Sequence, residues 1–322
     1  MIIHTAEISS AKSQAIPVAH TRKRSKLFRR LDGFQIFCVI ALIIMTFVIV
    51  YPFYNCIVLS FNDGLDAMYN GPIYFLPRVP TLENYQEILS TPLFLTSSRN
   101  TVGRTVITTV CSLFIISMFS YAMMHKKVKF RKFYLIFALI TMYFSGGLVP
   151  TFLVIRNLGL YDNFLVYVLP GLFNMFYVMV SMTFFRAIPD ELEESALLDG
   201  ANEFQIFLKI IIPVSTPLLA ALAIYVGVSQ WNSWFDSMIY TSNENLEVLA
   251  HQFAKMVLSQ RYLESATEYA GADVELMMNL RGATSNSLQV AALAVTTFPI
   301  IVIYPFLQKY FVKGIMLGSV KT

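Results

Sequence analysis

The densest group of interacting side chains in the sequence lies at residues 186–209, RAIPDELEESALLDGANEFQIFLK, which carries six acids against two bases. Pro189, Asp190 and Glu191 form a helix start, with proline early and acids at the positive end of the helix dipole. Leu192, Ser195, Ala196 and Asp199 recur at helical spacing, and Gly200, Ala201 and Asn202 end the repeat. A second amphipathic piece, residues 203–208, runs through Ile210, Ile211, Ile212 and Pro213 into an apolar stretch. Two short helices meeting at a glycine make a projecting knob, too polar to enter lipid. Its chemistry is recognition: Leu192, Ala196 and Phe204 could anchor in a partner's groove, with Glu194 offered to a cation. The same pattern also suits a surface helix packed on its own membrane domain.

The second set of polar groups sits inside or beside uncharged runs. Asn174, Gln230, Trp231, Asn232, Trp234, Ser287 and Gln289 are out of place in lipid unless they face the bundle or a cavity. Aromatic faces and amides are what hold a sugar ring and its hydroxyls, so these are candidates for a solute path. A helix-to-helix hydrogen bond or an interfacial ring explains each of them equally well.

Bond-making chemistry has no constellation here. The sequence lacks the G-x-x-x-x-G-K-[ST] phosphate loop, so any ATP and magnesium would be bound by another chain, and no cofactor is expected on this one. His4, His20, His125 and His251 show no metal-ligand spacing, and Cys38, Cys56 and Cys111 read as buried free thiols. No catalytic residue and no metal ligand are assigned.

The elements that must position these groups follow from composition. Of 322 residues, 56% are apolar or aromatic and 14% are charged, with a mean hydropathy of +0.59. That charge is too sparse to coat a water-facing surface, which excludes a soluble, disordered or disulfide-built chain. Six uncharged runs, residues 33–62, 105–124, 133–155, 163–185, 210–235 and 282–308, each reach the roughly 20 residues that a helix needs to cross a bilayer. None alternates as barrel strands do, so the expected class is all-α with six transmembrane helices.

Six crossings put both termini on one side. Placing that side in the cytoplasm gives it 17 of the 24 lysines and arginines, including TRKRSKLFRR before the first span and HKKVKFRK after the second. The expected organisation is a basic cytoplasmic segment 1–33, a permeation domain 34–313 and a cytoplasmic tail 314–322. Outer loops would cover 62–104 and 236–281. A nucleic-acid patch is disfavoured because the first basic cluster abuts an uncharged run, so no nucleic-acid partner is expected. A cleaved leader is disfavoured because the apolar run is about twice the usual signal core.

Outer residues 81–89, TLENYQEIL, suit a short helix on the membrane surface. Residues 156–162 are short enough to make spans three and four an antiparallel hairpin. The long acidic loop 236–281 would meet whatever delivers solute.

Glu194-Ser195-Ala196, then Gly200, then Ile210, Ile212 and Pro213, resembles the EAA loop, E-A-A-x3-G-x9-I-x-L-P, of ATP-binding-cassette importer permeases. Ser195 stands for an alanine and Ile212 for a leucine. Gln230-Trp231-Asn232, Phe184–Pro189 and the tail from Lys313 to Lys321 are similar to the MalG-like subunits of carbohydrate importers. Phe144-Ser145-Gly146-Gly147-Leu148-Val149-Pro150 resembles permeases for complex or acidic oligosaccharides, such as pectin or alginate fragments.

The resemblance implies a type I importer permease in a bacterial cytoplasmic membrane. It implies a second homologous permease, two ATP-binding subunits, an extracytoplasmic solute-binding protein, an oligosaccharide cargo and surrounding membrane lipid. Glu194 would meet an arginine of the ATPase, Ala196 would allow close approach, and Gly200 would form the turn. Asp199, Gly314, Gly318 and Lys321 would serve the same contact. An ion-driven transporter or a membrane enzyme would instead need charges inside its spans or acids at their ends.

Overall fold

The computed structural model describes residues 33–270 and 286–305. The basic N-terminal cluster, the tail with Gly314, Gly318 and Lys321, and residues 271–281 of the acidic loop lie outside them. The chain divides into two compact units, one up to Tyr51 and one from Pro52 onward. The first contributes most of α1 (Gly33–Ser60), where Thr46 bonds back to the Leu42 carbonyl and Phe47 stacks on Tyr51.

The second unit holds the remaining helices: α2 (Gly64–Tyr69), α3 (Glu83–Ser90), α4 (Pro92–Met124), α5 (Arg131–Tyr143) and α6 (Leu148–Asn157). Then come α7 (Met175–Phe185), α8 (Glu191–Leu198), α9 (Glu203–Ile206), α10 (Ile212–Val214) and α11 (Thr216–Asn232). The last described are α12 (Phe235–Tyr240), α13 (Leu249–Ala270) and α14 (Asn286–Pro305). Among the described residues the extended backbone pairs only at an isolated bridge between Asn62 and Pro80.

Among the described residues three helices, α1, α4 and α14, are long and apolar enough to cross a membrane unbroken. The other three expected spans are each bent. The third turns by 118° between α5 and α6, the fourth by 47° before α7, and the fifth by 80° at Ser215. The first bend falls in the Phe144–Pro150 stretch, where Gly147 takes φ +85°, a conformation that side chains with a Cβ resist. The fifth run therefore starts later than its uncharged length suggests: Ile210 and Pro213 precede the bend, on the side of α8 and α9.

The second span corrects the sequence reading most. It begins at Pro92, well inside the stretch read as outer loop, so Arg99 and Arg104 lie within a continuous helix. Proline at the first turn is compatible with that start, since its missing N–H has no intrahelical partner there. α4 is the hub. It packs against α11 and α7 through small and hydroxylic residues, with Gly227 facing Thr105 and Thr109. Met123, Met175 and Met182 fill a core with Ile116, Ala138 and Val178, the gap-filling use expected of methionine. α3 forms as the sequence predicts, but its Ile88 is buried against Phe94, Leu249, Ala291 and Ala292 instead of resting on lipid.

Candidate functional site

The knob forms as its residues dictate. α8 has three acids in its first turn, Glu191, Glu193 and Glu194, at the end where the dipole favours them. It stops at Gly200, φ +82°, where the amides of Gly200 and Ala201 bond back to the carbonyls of Leu197 and Ala196. Asn202 then starts α9 through a reciprocal capping box with Gln205. A π-helical turn, Phe207–Ile211, carries the chain to Pro213.

This knob presents two faces. Ala196 packs inward with Tyr121, Phe185, Ile188, Ile206, Phe207 and Ile211, with Ile210 and Ile212 at the edge of that cluster. The expectation that Ala196 faces a partner is thus corrected: a methyl side chain lets α8 approach its own core. The other face is open. Glu194, Ser195 and Asp199 are exposed, as are Leu192, Phe204 and above all Leu198, at 89%. The knob is held from inside by two polar contacts to the end of α4. Tyr121 donates to Glu203 Oε2 at 3.0 Å, and His125 Nε2 lies 3.0 Å from Glu193 Oε2.

The solute-path candidates separate into two groups. Trp231, Asn232 and Trp234 meet around a cavity of about 490 Å³ between α11, α13 and α14, whose other walls include Phe253, Leu293 and Thr296. A second cavity of about 440 Å³, with Thr241, Ser242, Glu247, His251 and Lys255, lies on the other side of Trp234. Trp231 and other candidates also hold helices together. Trp231 Nε1 bonds the Thr296 carbonyl at 3.0 Å and Gln289 Nε2 the Met256 carbonyl at 2.8 Å, while Ser287 is buried. Asn174 is not inside a helix: it caps α7, accepting from the Phe176 amide at 2.9 Å.

Gln230 leads to residues that the sequence reading passed over. Its Oε1 accepts from Arg104 Nη2 at 2.8 Å, and the fully buried guanidinium also reaches both Asp236 oxygens, at 2.5 and 3.1 Å, and the Ser233 carbonyl. Its central carbon lies 4.6 Å from the Tyr167 ring centroid. Tyr167 in turn donates to the Leu246 carbonyl, and Ser237 links it to His251. Glu247 below it is bonded by Gln252 and Lys255. The available signal was two opposite charges, Arg104 and Asp236, each at the outer edge of an uncharged run and hence at one depth. Two tyrosines, Tyr177 of α7 and Tyr225 of α11, were also missed; their rings stack 6.4 Å apart, and Tyr225 is exposed.

Bent apolar helices around a polar interior, with a two-faced knob at one end, fit a helical membrane permease. The chain belongs to the family of binding-protein-dependent transport system inner membrane components, whose model matches residues 88–317. It is 32% identical over 280 residues to the polygalacturonan/rhamnogalacturonan transport system permease protein YtcP of Bacillus subtilis, covering 87% of this chain and 95% of that one. It is 34% identical to protein LplC of the same organism, over 84% of this chain and 88% of that one. Among solved structures, a chain of a bacterial ABC transporter that imports the acidic polysaccharide alginate superposes with a TM-score of 0.74. The two are 29% identical over 88% of this chain and 99% of that one.

Proposed function

We propose that this chain is one permease of an ATP-driven importer and that its cargo is an oligosaccharide, of the uronic-acid class. The observation that carries the reading is the two-faced knob: α8 and α9 are pinned from inside by Tyr121 and His125, while Glu194, Leu192, Leu198 and Phe204 stand free. A helix anchored on one side and apolar on the other suits a groove on a moving partner. That partner is one of two ATP-binding subunits, which hold the ATP and magnesium; a second homologous permease and an extracytoplasmic binding protein complete the assembly. The chain crosses a bacterial cytoplasmic membrane six times, with both termini inside.

The interior supports a polar cargo. Non-helical backbone at membrane depth is tolerated only inside protein or beside water, and the break before α7 exposes Phe173 and Asn174 at such a place. Asn174, Tyr177 and Tyr225 offer an amide and stacked rings along that path. Trp231, Asn232 and Trp234 offer the same chemistry nearer the outer side. The names of the relatives, for pectin-type and alginate polymers, supply the sugar class.

The test is ATP hydrolysis by the purified complex in proteoliposomes, with its binding protein and a panel of neutral and uronic-acid oligosaccharides. Stimulation by uronic-acid members is expected. Stimulation by none of the sugars would leave the permease standing and remove the cargo.

A further inference from the structure

We infer that α4 is a strut that carries motion of the cytoplasmic knob to the outer corner of the permease, with Arg104 as the positioning residue at its far end. The inference rests on the reading that ATP-hydrolysing partners move α8 and α9.

Both ends of α4 are tied by specific polar contacts to segments that are remote in sequence. At the inner end, Tyr121 bonds Glu203 and packs 5.4 Å from Phe207, and the His125 ring reaches Glu193. At the outer end, Arg104 grips Asp236, Gln230 and the Ser233 carbonyl. One turn further out, Asn100 donates to the carbonyls of Asn245 and Glu247, and the Thr101 hydroxyl accepts from the Leu249 amide. These contacts fix the whole segment from Gln230 to Leu249, including the Trp231–Trp234 wall of the larger cavity, onto a single helix.

Of the other spans, three are jointed. The paths through the third, fourth and fifth spans each contain a bend, of 118°, 47° and 80°, where a displacement is absorbed by a few backbone torsions. α4 runs unbroken from Pro92 to Met124, and the 21 residues from Arg104 to Met124 span about 30 Å at helical rise. A continuous helix with a buried, ion-paired arginine at one end and hydrogen-bonded acids at the other moves as a body. A shift of α8 and α9 therefore reappears at Asp236 and Trp234.

The experiment uses the complete complex in proteoliposomes and compares basal ATP hydrolysis with hydrolysis stimulated by the loaded binding protein. Asp236→Asn keeps the side-chain shape and the bonds to Ser233 and Ser237 while removing the charge opposite Arg104. It is expected to leave basal hydrolysis unchanged and to reduce the stimulation ratio about tenfold, within the range of coupling between distant sites. Asp236→Glu should restore part of the ratio. Tyr121→Phe, at the inner end, should reduce the ratio as well. Combined with Asp236→Asn it should lose no more than the worse single variant, because both cut one connection. Unchanged ratios, additive losses, or basal and stimulated rates falling together, failed assembly included, would overturn the strut. A native chain that recovers no ATP-hydrolysing partner would remove the functional reading first, and the strut with it.

Discussion

A Cβ placed on Gly171 would lie 2.7 Å from Nε2 of Gln230 and 3.1 Å from the Thr108 methyl. The side chain that Arg104 holds through its oxygen is thus backed on its nitrogen side by bare backbone. Gly171→Ala is expected to push Gln230 off the guanidinium and leave a buried donor short of an acceptor, at about 1–3 kcal/mol. Gly103→Ala, whose nearest neighbour is the Phe164 ring at 3.5 Å, should be tolerated. Thermal unfolding of the two detergent-solubilised variants distinguishes them; equal shifts would contradict the assignment.

Gly200 poses a different constraint, since nothing lies within 4 Å of its virtual Cβ and only its φ of +82° excludes other residues. Gly200→Val should destabilise the turn by about 1–2 kcal/mol and misdirect α9, whereas Gly200→Asn should retain most function. Co-purification of the ATP-hydrolysing partner with each variant is the measurement, and recovery with both would refute the claim.

Asn84 joins α3 to the end of α1. Its Nδ2 donates to the carbonyls of Ser60 and Asn62, both at 3.0 Å, and the side chain is buried. Asn84→Ala strands two buried acceptors, and a loss of about 1–3 kcal/mol is expected. Hydrogen exchange at Asn62 to Glu83 should rise in that variant, while α5 and α7 stay protected.

The segment from α12 into α13 should loosen in acid. Burial holds the His251 imidazole below its ordinary value of 6.5, opposed by nearby Glu247 and Asp236 and reinforced by Lys255. A depressed folded value means that the unfolded chain takes up its proton first. The stabilisation is therefore whole above about pH 6.5 and is lost as pH falls toward the folded value. Exchange protection over residues 237–258 should drop between about pH 7 and pH 5, a window set by the ordinary histidine value. His251→Gln should flatten that dependence, and an unchanged slope would exclude this histidine as its source.

Much of this was legible because membranes impose long-wavelength patterns. The uncharged run at residues 33–62 became α1, and the motif from Glu194 to Pro213 folded into two helices parted at Gly200, since caps, breakers and spacing act locally. The resemblance seen in the same residues led to the right family. The bends within the third, fourth and fifth spans were hidden, because hydropathy averages over some 20 residues and does not register a three-residue turn.

The sequence by itself determined a helical membrane chain and the knob, because hydrocarbon thickness and helix capping act on neighbouring residues. Only the tertiary structure decided where the second span begins and which side chains form its polar heart. Arg104 looked like the charge that ends a loop; it is a buried residue of α4, neutralised by an aspartate 132 positions away. A buried charge is tolerable only with its partner beside it, and a pairing across that distance exists in the fold alone.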